Sequence, residues 1–120
     1  MQYLAMIYGD QAVWESFTPE QRDDAYKRYG AFAEEAQQAG VMAGGNELAS
    51  TTTATTVRVR GDETLVTDGP FVELKESLGG YFVLECDSVD DACIWAARIP
   101  GAAHGAIEVR RIHVKEGEES

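Results

Sequence analysis

The sequence predicts a single α+β domain built on one antiparallel sheet, and two patterns carry this prediction. Apolar runs typical of strands alternate along the chain with two segments whose apolar residues recur at helical three- and four-residue steps. Two consecutive strands also read as a hairpin. A chain of 120 residues with 44% hydrophobic residues suffices for one domain that buries roughly two-thirds of its unfolded surface. We assign the domain to residues 1–114 and a polar tail to residues 115–120.

Both predicted helices have recognisable start signals. Thr18, Pro19 and Gln21 predict a capping box with proline in the first turn, so the first helix is expected over residues 19–39. Ser88 is expected to cap the second helix, which Pro100 would end. Each helix has one apolar stripe, formed by Ala25, Tyr29, Phe32, Ala36 and Ala39 in the first and by Ala92, Trp95, Ala96 and Ile99 in the second.

Two strands, over residues 3–8 and 81–86, are apolar on both faces, which is typical of central strands. A weaker strand is predicted over residues 41–49. The last strand is predicted over residues 106–114. Its apolar residues change from one face to the other near Arg110 and Arg111, so we expect a bulge or a change of covering surface there.

The hairpin turns at Gly61 and Asp62. A two-residue turn at that point sets Arg60 opposite Glu63 and places Val57, Val59 and Val66 on one apolar face.

The order of elements without this hairpin is βαββαβ, the ferredoxin-like split motif. In that topology the first and third strands are central, and both helices cover one face of the antiparallel sheet. The other face needs a cover, which a homodimer packing sheet against sheet would supply.

Composition excludes several classes of function. The net charge is −11, from 21 acidic and 10 basic residues, so we expect no direct nucleic-acid binding. The N-terminus lacks a basic region, and no apolar run approaches the ~20 residues of a membrane span, so we expect a cytoplasmic protein without membrane contact. Cys86 and Cys93 are expected to be free core thiols. The two histidines, His104 and His113, give no metal signature.

The segment DGPFVELKESLGG, Asp68 to Gly80, is the richest connector in the chain. Asp68 ends a predicted strand before a rigid Gly-Pro corner, which favours a general base of fixed direction. The alternative is an acid that caps its own loop in an Asx-turn. Gly79 and Gly80 predict a close backbone approach or a bulge where the next strand begins.

Charged side chains of the same segment are candidates for a pocket. Lys75 would stabilise a substrate oxyanion, and Glu73 and Glu76 would line the site. The alternative is a solvated charged turn with an inward stripe of Phe71, Leu74 and Leu78. His104 would complete an acid–base pair if the fold brought it near Asp68, and otherwise is a surface histidine. Tyr81 would offer its hydroxyl to a cleft or pack in an interface.

The stretch DGPFVELKESLGGYFVLE resembles the signature of the YCII-related, or DGPF-domain, proteins. The segments MQYLAMIYGD, AGVMAGGNEL, TATTVRVR and GAIEVRRI fit the same pattern, so the resemblance covers nearly the whole chain. It implies a ferredoxin-like fold that dimerises into an α/β barrel. It also implies an aspartate and a histidine near a cleft in some relatives, and an association with sigma factors in others.

Together these observations lead to two hypotheses. The first is a cofactor-independent small-molecule enzyme of isomerase or lyase type, with Asp68 as base and with Lys75 and His104 as electrostatic or acid partners. Its substrate would contact Glu73, Glu76, Tyr81 and Phe71. The second is a non-catalytic ligand-binding or regulatory module, associated with a sigma factor.

Overall fold

The computed structural model describes residues 1–115, which form one four-stranded sheet, a separate hairpin and three α-helices. The strands are β1 (Gln2–Asp10), β2 (Met42–Glu47), β3 (Thr55–Arg60), β4 (Glu63–Asp68), β5 (Glu76–Glu85) and β6 (Ala106–Arg111). The helices are α1 (Gln11–Glu15), α2 (Pro19–Gln38) and α3 (Val89–Ala96), and 3₁₀ turns lie at Thr51–Thr53 and Pro100–Ala103. Most of the predicted tail, residues 116–120, lies outside the described residues.

The sheet confirms the predicted topology. Its strand order is β2-β5-β1-β6 and all pairs are antiparallel, so the two strands predicted to be central are central. The hairpin β3–β4 is inserted between β2 and β5 and forms its own two-stranded sheet. The domain is therefore a ferredoxin-like α+β fold with an inserted hairpin.

One face of the sheet carries the hydrophobic core. Ala5 of β1 and Leu84 of β5 are fully buried there beneath Phe32 and Ala36 of α2. Helix α3 contributes to the same cluster through Ala92 and Ala96, and the turn that follows contributes Ile99. The apolar stripes predicted for the two helices thus supply most of the helical part of the core, and both long helices lie on one face.

The helix caps form as predicted. The Thr18 hydroxyl accepts from the Gln21 amide at 3.2 Å, and the Gln21 side chain accepts from the Thr18 amide at 2.8 Å. The Ser88 hydroxyl accepts from the Asp91 amide at 3.1 Å. Helix α1 was not predicted, because five residues are too few to show a helical period.

The connector between the hairpin and β5 is shorter than predicted. Asp68 is the last residue of β4, and Glu76 to Gly80 belong to β5, so only residues 69–75 are irregular. Gly79 is the extra residue of a bulge in the β1–β5 pairing. A Cβ on Gly80 would lie 3.0 Å from the Asn46 carbonyl oxygen, so the predicted bulge and close approach are both confirmed.

Of the two alternatives expected near Arg110 and Arg111, the bulge does not form. The register of β6 with β1 runs unbroken from Ala106 to Arg111, where the strand ends. The change of apolar parity therefore marks the end of the strand. Beyond it, the Ile112 amide still donates to the Gln2 carbonyl at 2.8 Å.

The described chain is flat. Its Cα atoms extend over 49 × 47 × 17 Å with a radius of gyration of 16.5 Å. A compact domain of this length would have a radius of gyration of about 13–14 Å. The hairpin accounts for part of the difference, because every residue from Val57 to Asp68 is exposed. No helix in residues 1–115 is both long and apolar enough to cross a membrane.

Candidate ligand-binding face of the sheet

The face of the sheet opposite the helices presents an ordered set of side chains. Residues paired directly across antiparallel strands point to the same side. The pairings therefore define three rows on this open face: Gly44–Val83–Leu4–Arg110, Asn46–Tyr81–Met6–Glu108 and Leu78–Tyr8–Ala106. We call this surface the open face.

The open face is apolar at its centre and polar along its edges. Leu4, Met6 and Val83 lie on the two central strands and are half-buried. The β6 edge carries Glu108 and Arg110, both exposed. An apolar surface with a few polar groups at its border is the usual composition of a small-molecule site.

Tyr81 is a polar group on a central strand of this face. The Asn46 amide nitrogen donates a hydrogen bond to the Tyr81 hydroxyl oxygen at 3.1 Å. Among residues 1–115 no group accepts the Tyr81 hydroxyl proton. The structure thus places the predicted ligand residue Tyr81 on the open face, with a free donor.

Two acidic residues are paired at one end of the open face. Asp10, the last residue of β1, is paired with Glu76, the first residue of β5. The Asp10 carboxylate also accepts from the Ala12 amide at 3.0 Å and caps α1. Glu76 was predicted as a site residue, whereas Asp10 was not, because the helix that it caps is too short to be recognised from the sequence.

Asp68 is held in place by its backbone neighbours. The Gly69 amide donates to the Ala54 carbonyl at 2.7 Å, and the Thr56 hydroxyl donates to the Gly69 carbonyl at 2.8 Å. Gly69 has φ +101°, a conformation that favours glycine. The Asp68 side chain is exposed and has no hydrogen-bond partner within residues 1–115, so the Asx-turn alternative does not form there.

Within one chain the DGPF segment matches only part of the solvated-turn alternative. Glu73 and Lys75 are exposed and form no ion pair in the described part of the chain, as expected for a solvated charged turn. Phe71 is 67% exposed, and Leu74 is exposed as well, so the inward apolar stripe predicted with that turn does not form. The Arg58 guanidinium lies 4.5 Å from the centre of the Phe71 ring, which ties this segment to the hairpin.

His104 lies in a cleft on the helix side. The cleft, of about 630 Å³, is bordered by α2 and the Pro100–Ala103 turn, and Phe32, Arg28 and Glu35 also line it. Arg98 lines the cleft too and forms an ion pair with Glu35. Neither Asp68 nor Lys75 contributes to this cleft, so it does not unite the three predicted catalytic residues.

A second cleft, of about 360 Å³, lies beside Cys86, Asp91 and Trp95. Burial raises the pKa of the Cys86 thiol, and the carboxylate of Asp91 raises it further. Cys86 is therefore a buried, protonated thiol, as predicted, whereas Cys93 is exposed and the prediction that it is a core thiol is wrong. No group of three or more potential metal ligands occurs within residues 1–115.

The fold and the open face together define an α+β domain of ferredoxin-like topology with an uncovered sheet surface. Within that class the chain belongs to the YCII-related family, since the model of the YCII-related domain matches residues 1–115. It is 33% identical over 121 residues to an uncharacterised protein of Rhizobium meliloti (strain 1021), with 98% of each chain covered.

A solved structure has the same fold. It is 5-chloro-2-hydroxyhydroquinone dehydrochlorinase from Burkholderia phenoliruptrix AC1100, in complex with 2,5-dihydroxybenzoquinone. The TM-score is 0.54 at 16% identity, and 99% of this chain and 100% of that chain are covered. At this identity the likeness shows the fold alone.

Proposed function

We propose that this protein binds a small organic molecule on the open face and transforms it without a cofactor, by acid–base chemistry of the isomerase or lyase type. The observation that carries the proposal is the open face itself, an apolar centre bordered by a free Tyr81 donor and by the carboxylates of Asp10, Glu76 and Glu108. The fold neighbour adds support, because by its name it is an elimination enzyme.

The open face needs a cover, and we propose that a second copy of the chain provides it. The hairpin exposes Val57, Val59 and Val66 at 60%, 60% and 65%, and Phe71 extends this apolar surface. Burying such a side chain fully contributes about 1.5–3 kcal/mol. A homodimer would bury these side chains and turn the open face into the wall of a cleft.

The catalytic roles proposed for the DGPF segment depend on that cover. Asp68 would take a proton from carbon, the released electron pair would form a double bond, and a leaving group would depart with its bonding electrons. Lys75 would stabilise the developing oxyanion. His104 lies in the helix-side cleft and takes no part in this step. Glu73, Glu76, Tyr81 and Phe71 would contact the substrate. Glu76 is a second candidate for the base, because the pairing places it at the end of the open face opposite Asp10.

A non-catalytic alternative also has an observation in its favour. Asp68 and Lys75 have no partners within residues 1–115, and the exposed apolar side chains beside them are suited to protein contact as well as to a substrate. In that case the chain would bind a ligand and regulate a partner protein, such as a sigma factor.

A thermal-shift screen tests the proposal. The panel would contain cyclic ketones and hydroxylated rings, 2,5-dihydroxybenzoquinone among them, and would be run on wild type, Asp68→Asn, Glu76→Gln and the control Asp23→Asn on α2. We expect a compound that stabilises wild type and the control but not one of the two site variants. Each such compound is then incubated with the protein and analysed by mass spectrometry.

The two proposals predict different results. Turnover that is lost in Asp68→Asn or Glu76→Gln supports the enzyme. Binding without turnover supports the regulatory module. If every stabilising compound acts equally on all variants, neither carboxylate belongs to the site.

A further inference from the structure

Tyr81 belongs to a row of the open face that crosses the whole sheet. Asn46 of β2 and Met6 of β1 are its direct cross-strand neighbours, and Glu108 of β6 follows Met6 in the same row. The row therefore has a hydrogen-bonding pair on one side, an apolar side chain at its centre and a carboxylate on the other side.

The direction of the hydrogen bond between Asn46 and Tyr81 determines what Tyr81 can offer a ligand. The Asn46 amide donates to the Tyr81 oxygen, so that oxygen already serves as an acceptor. The phenol has one proton to donate, and no described residue receives it. The hydroxyl proton of Tyr81 is thus available to solvent or to a molecule on the open face.

The neighbouring groups make the Tyr81 hydroxyl a stronger hydrogen-bond donor. An N–H group that donates to the phenol oxygen polarises the O–H bond and makes it a better donor. The adjacent side chains Met6 and Val83 are apolar, so a ligand covering them would exclude water from the bond. A donor of this kind recognises a carbonyl, phenolate or enolate oxygen.

Glu108 indicates what the far end of the ligand carries. It lies two strand spacings from Tyr81, which separates the Cα atoms of the two residues by roughly 10 Å across the sheet. A six-membered ring with an oxygen at each end, and a hydrogen bond of about 2.8 Å beyond each oxygen, is of comparable length. The carboxylate accepts hydrogen bonds only, so the ligand must offer it a hydroxyl or N–H group.

We propose that Tyr81, oriented by Asn46, donates to an oxygen of a flat hydroxylated ring, while Glu108 accepts a hydroxyl group at the opposite end of that ring. This inference rests on the proposed function, because it assumes that the open face is the ligand site. The nearby carboxylates Asp10 and Glu76 disfavour phosphates and polyanions, so the ligand is neutral or carries a single negative charge.

The test is a titration of the full chain with 4-nitrophenol at a mildly acidic pH, at which this flat ring is uncharged, and binding is followed by its absorption spectrum. Its nitro oxygen can accept from Tyr81, and its hydroxyl at the opposite end can donate to Glu108. Tyr81→Phe removes the donor and is expected to weaken binding about tenfold. It should also move the spectrum of the bound compound toward that of the free compound. Tyr26→Phe is the matched control, since its hydroxyl lies on α2 and bonds to Glu47, and it should behave as wild type.

Asn46→Asp separates positioning from packing. The aspartate keeps the size of the side chain but accepts the Tyr81 proton, which turns the donor away from the ligand. We expect a loss as large as in Tyr81→Phe, together with the same spectral change. Glu108→Gln should weaken binding less, because the amide oxygen still accepts.

The results of these titrations either support or overturn the proposed role of Tyr81. Equal affinity and spectrum in wild type, Tyr81→Phe and Asn46→Asp would overturn the inference. So would the absence of binding to wild type at about 1 mM, a concentration at which even a weak site of that dissociation constant is half-filled. Other compounds that depend on Asp68 or Glu76 but not on Tyr81 would leave the proposed function standing while this inference fails.

Discussion

Gly105 and Gly30 are single residues at which an added methyl group has opposite consequences. A Cβ on Gly105 would lie 2.0 Å from the Tyr8 carbonyl oxygen, at the point where the chain enters β6, whereas a Cβ on Gly30 in α2 meets open space. We expect Gly105→Ala to lower the free energy of unfolding by about 2–3 kcal/mol through overpacking. Gly30→Ala should raise it by about 0.5–1 kcal/mol through helix propensity.

Urea denaturation of both variants measures the two effects in one protein. Similar midpoints for Gly105→Ala and wild type would show that β1 and β6 are not in the close contact described.

The pKa of Cys86 predicts a pH dependence at the residue scale. Burial raises the pKa of this thiol, so the native state holds the proton more tightly than the unfolded state. Stability is unaffected below the unfolded pKa of about 8.5 and falls as the pH rises from there through the higher native pKa. Chemical denaturation at increasing pH should show this decline in the free energy of unfolding. In Cys86→Ala the decline should be smaller, because the contribution of the thiol is absent. A decline of the same size in Cys86→Ala would assign it to other groups.

Helix α2 depends on its first turn. The capping box satisfies two amide groups that the helix itself leaves free. Thr18→Ala should therefore cost about 1 kcal/mol of unfolding free energy, whereas Thr18→Ser should cost only a few tenths. Thermal unfolding of the pair measures this, and equal losses in both variants would contradict a role for the hydroxyl.

A variant of the β3–β4 hairpin tests whether this element lies in the proposed dimer interface. Val59 and Val66 are already exposed in one chain, so replacing both with lysine should leave the fold of the chain unchanged. If a second copy covers them, the double variant becomes monomeric, because two charges would be buried in an apolar contact. Light scattering after gel filtration measures the mass, and circular dichroism checks the fold.

Ile94→Lys is the control for the hairpin variant. Ile94 is 64% exposed, but it lies on α3, on the helix side of the sheet. Its replacement should leave the mass unchanged. A hairpin variant that keeps the mass of the wild type would remove the hairpin from the interface.

At the scale of the whole molecule, charge opposes association. Each chain carries a net charge of −11, so two copies repel each other at long range. Raising the salt concentration from about 0.01 M to about 0.1 M shortens the screening length from roughly 30 Å to roughly 10 Å. We expect the dimer dissociation constant to fall over that range in sedimentation equilibrium. A rise would indicate an interface held by charge pairs, with Arg58 and Arg60 of the hairpin as the cations.

The sequence predicted those features that depend on local chemistry. Thr18 and Ser88 marked the helix starts, and the two-faced apolar runs marked β1 and β5 as central strands. The turn at Gly61 fixed the hairpin register, with Arg60 opposite Glu63. Each of these features follows from hydrogen bonds or side-chain alternation within a few residues, so the amino-acid sequence suffices to predict it.

Other features depended on contacts between distant segments. The strand β5 begins five residues earlier than its apolar run, because its polar start pairs with the end of β1 and gains backbone hydrogen bonds there. The same pairing places Asp10 beside Glu76, and the pairing of β2 with β5 places Asn46 beside Tyr81. Neither pair is visible in the sequence, since 66 and 35 positions separate the partners.

The sequence by itself thus determined the family, the topology and the location of a charged segment before β5. The tertiary structure alone decided which side chains share the open face, and it placed His104 on the helix side, in a cleft that neither Asp68 nor Lys75 lines. The physical reason is the range of the interactions. Caps, turns and strand alternation act between neighbours along the chain, whereas the composition of a sheet face is set by the register of strands that meet only after folding.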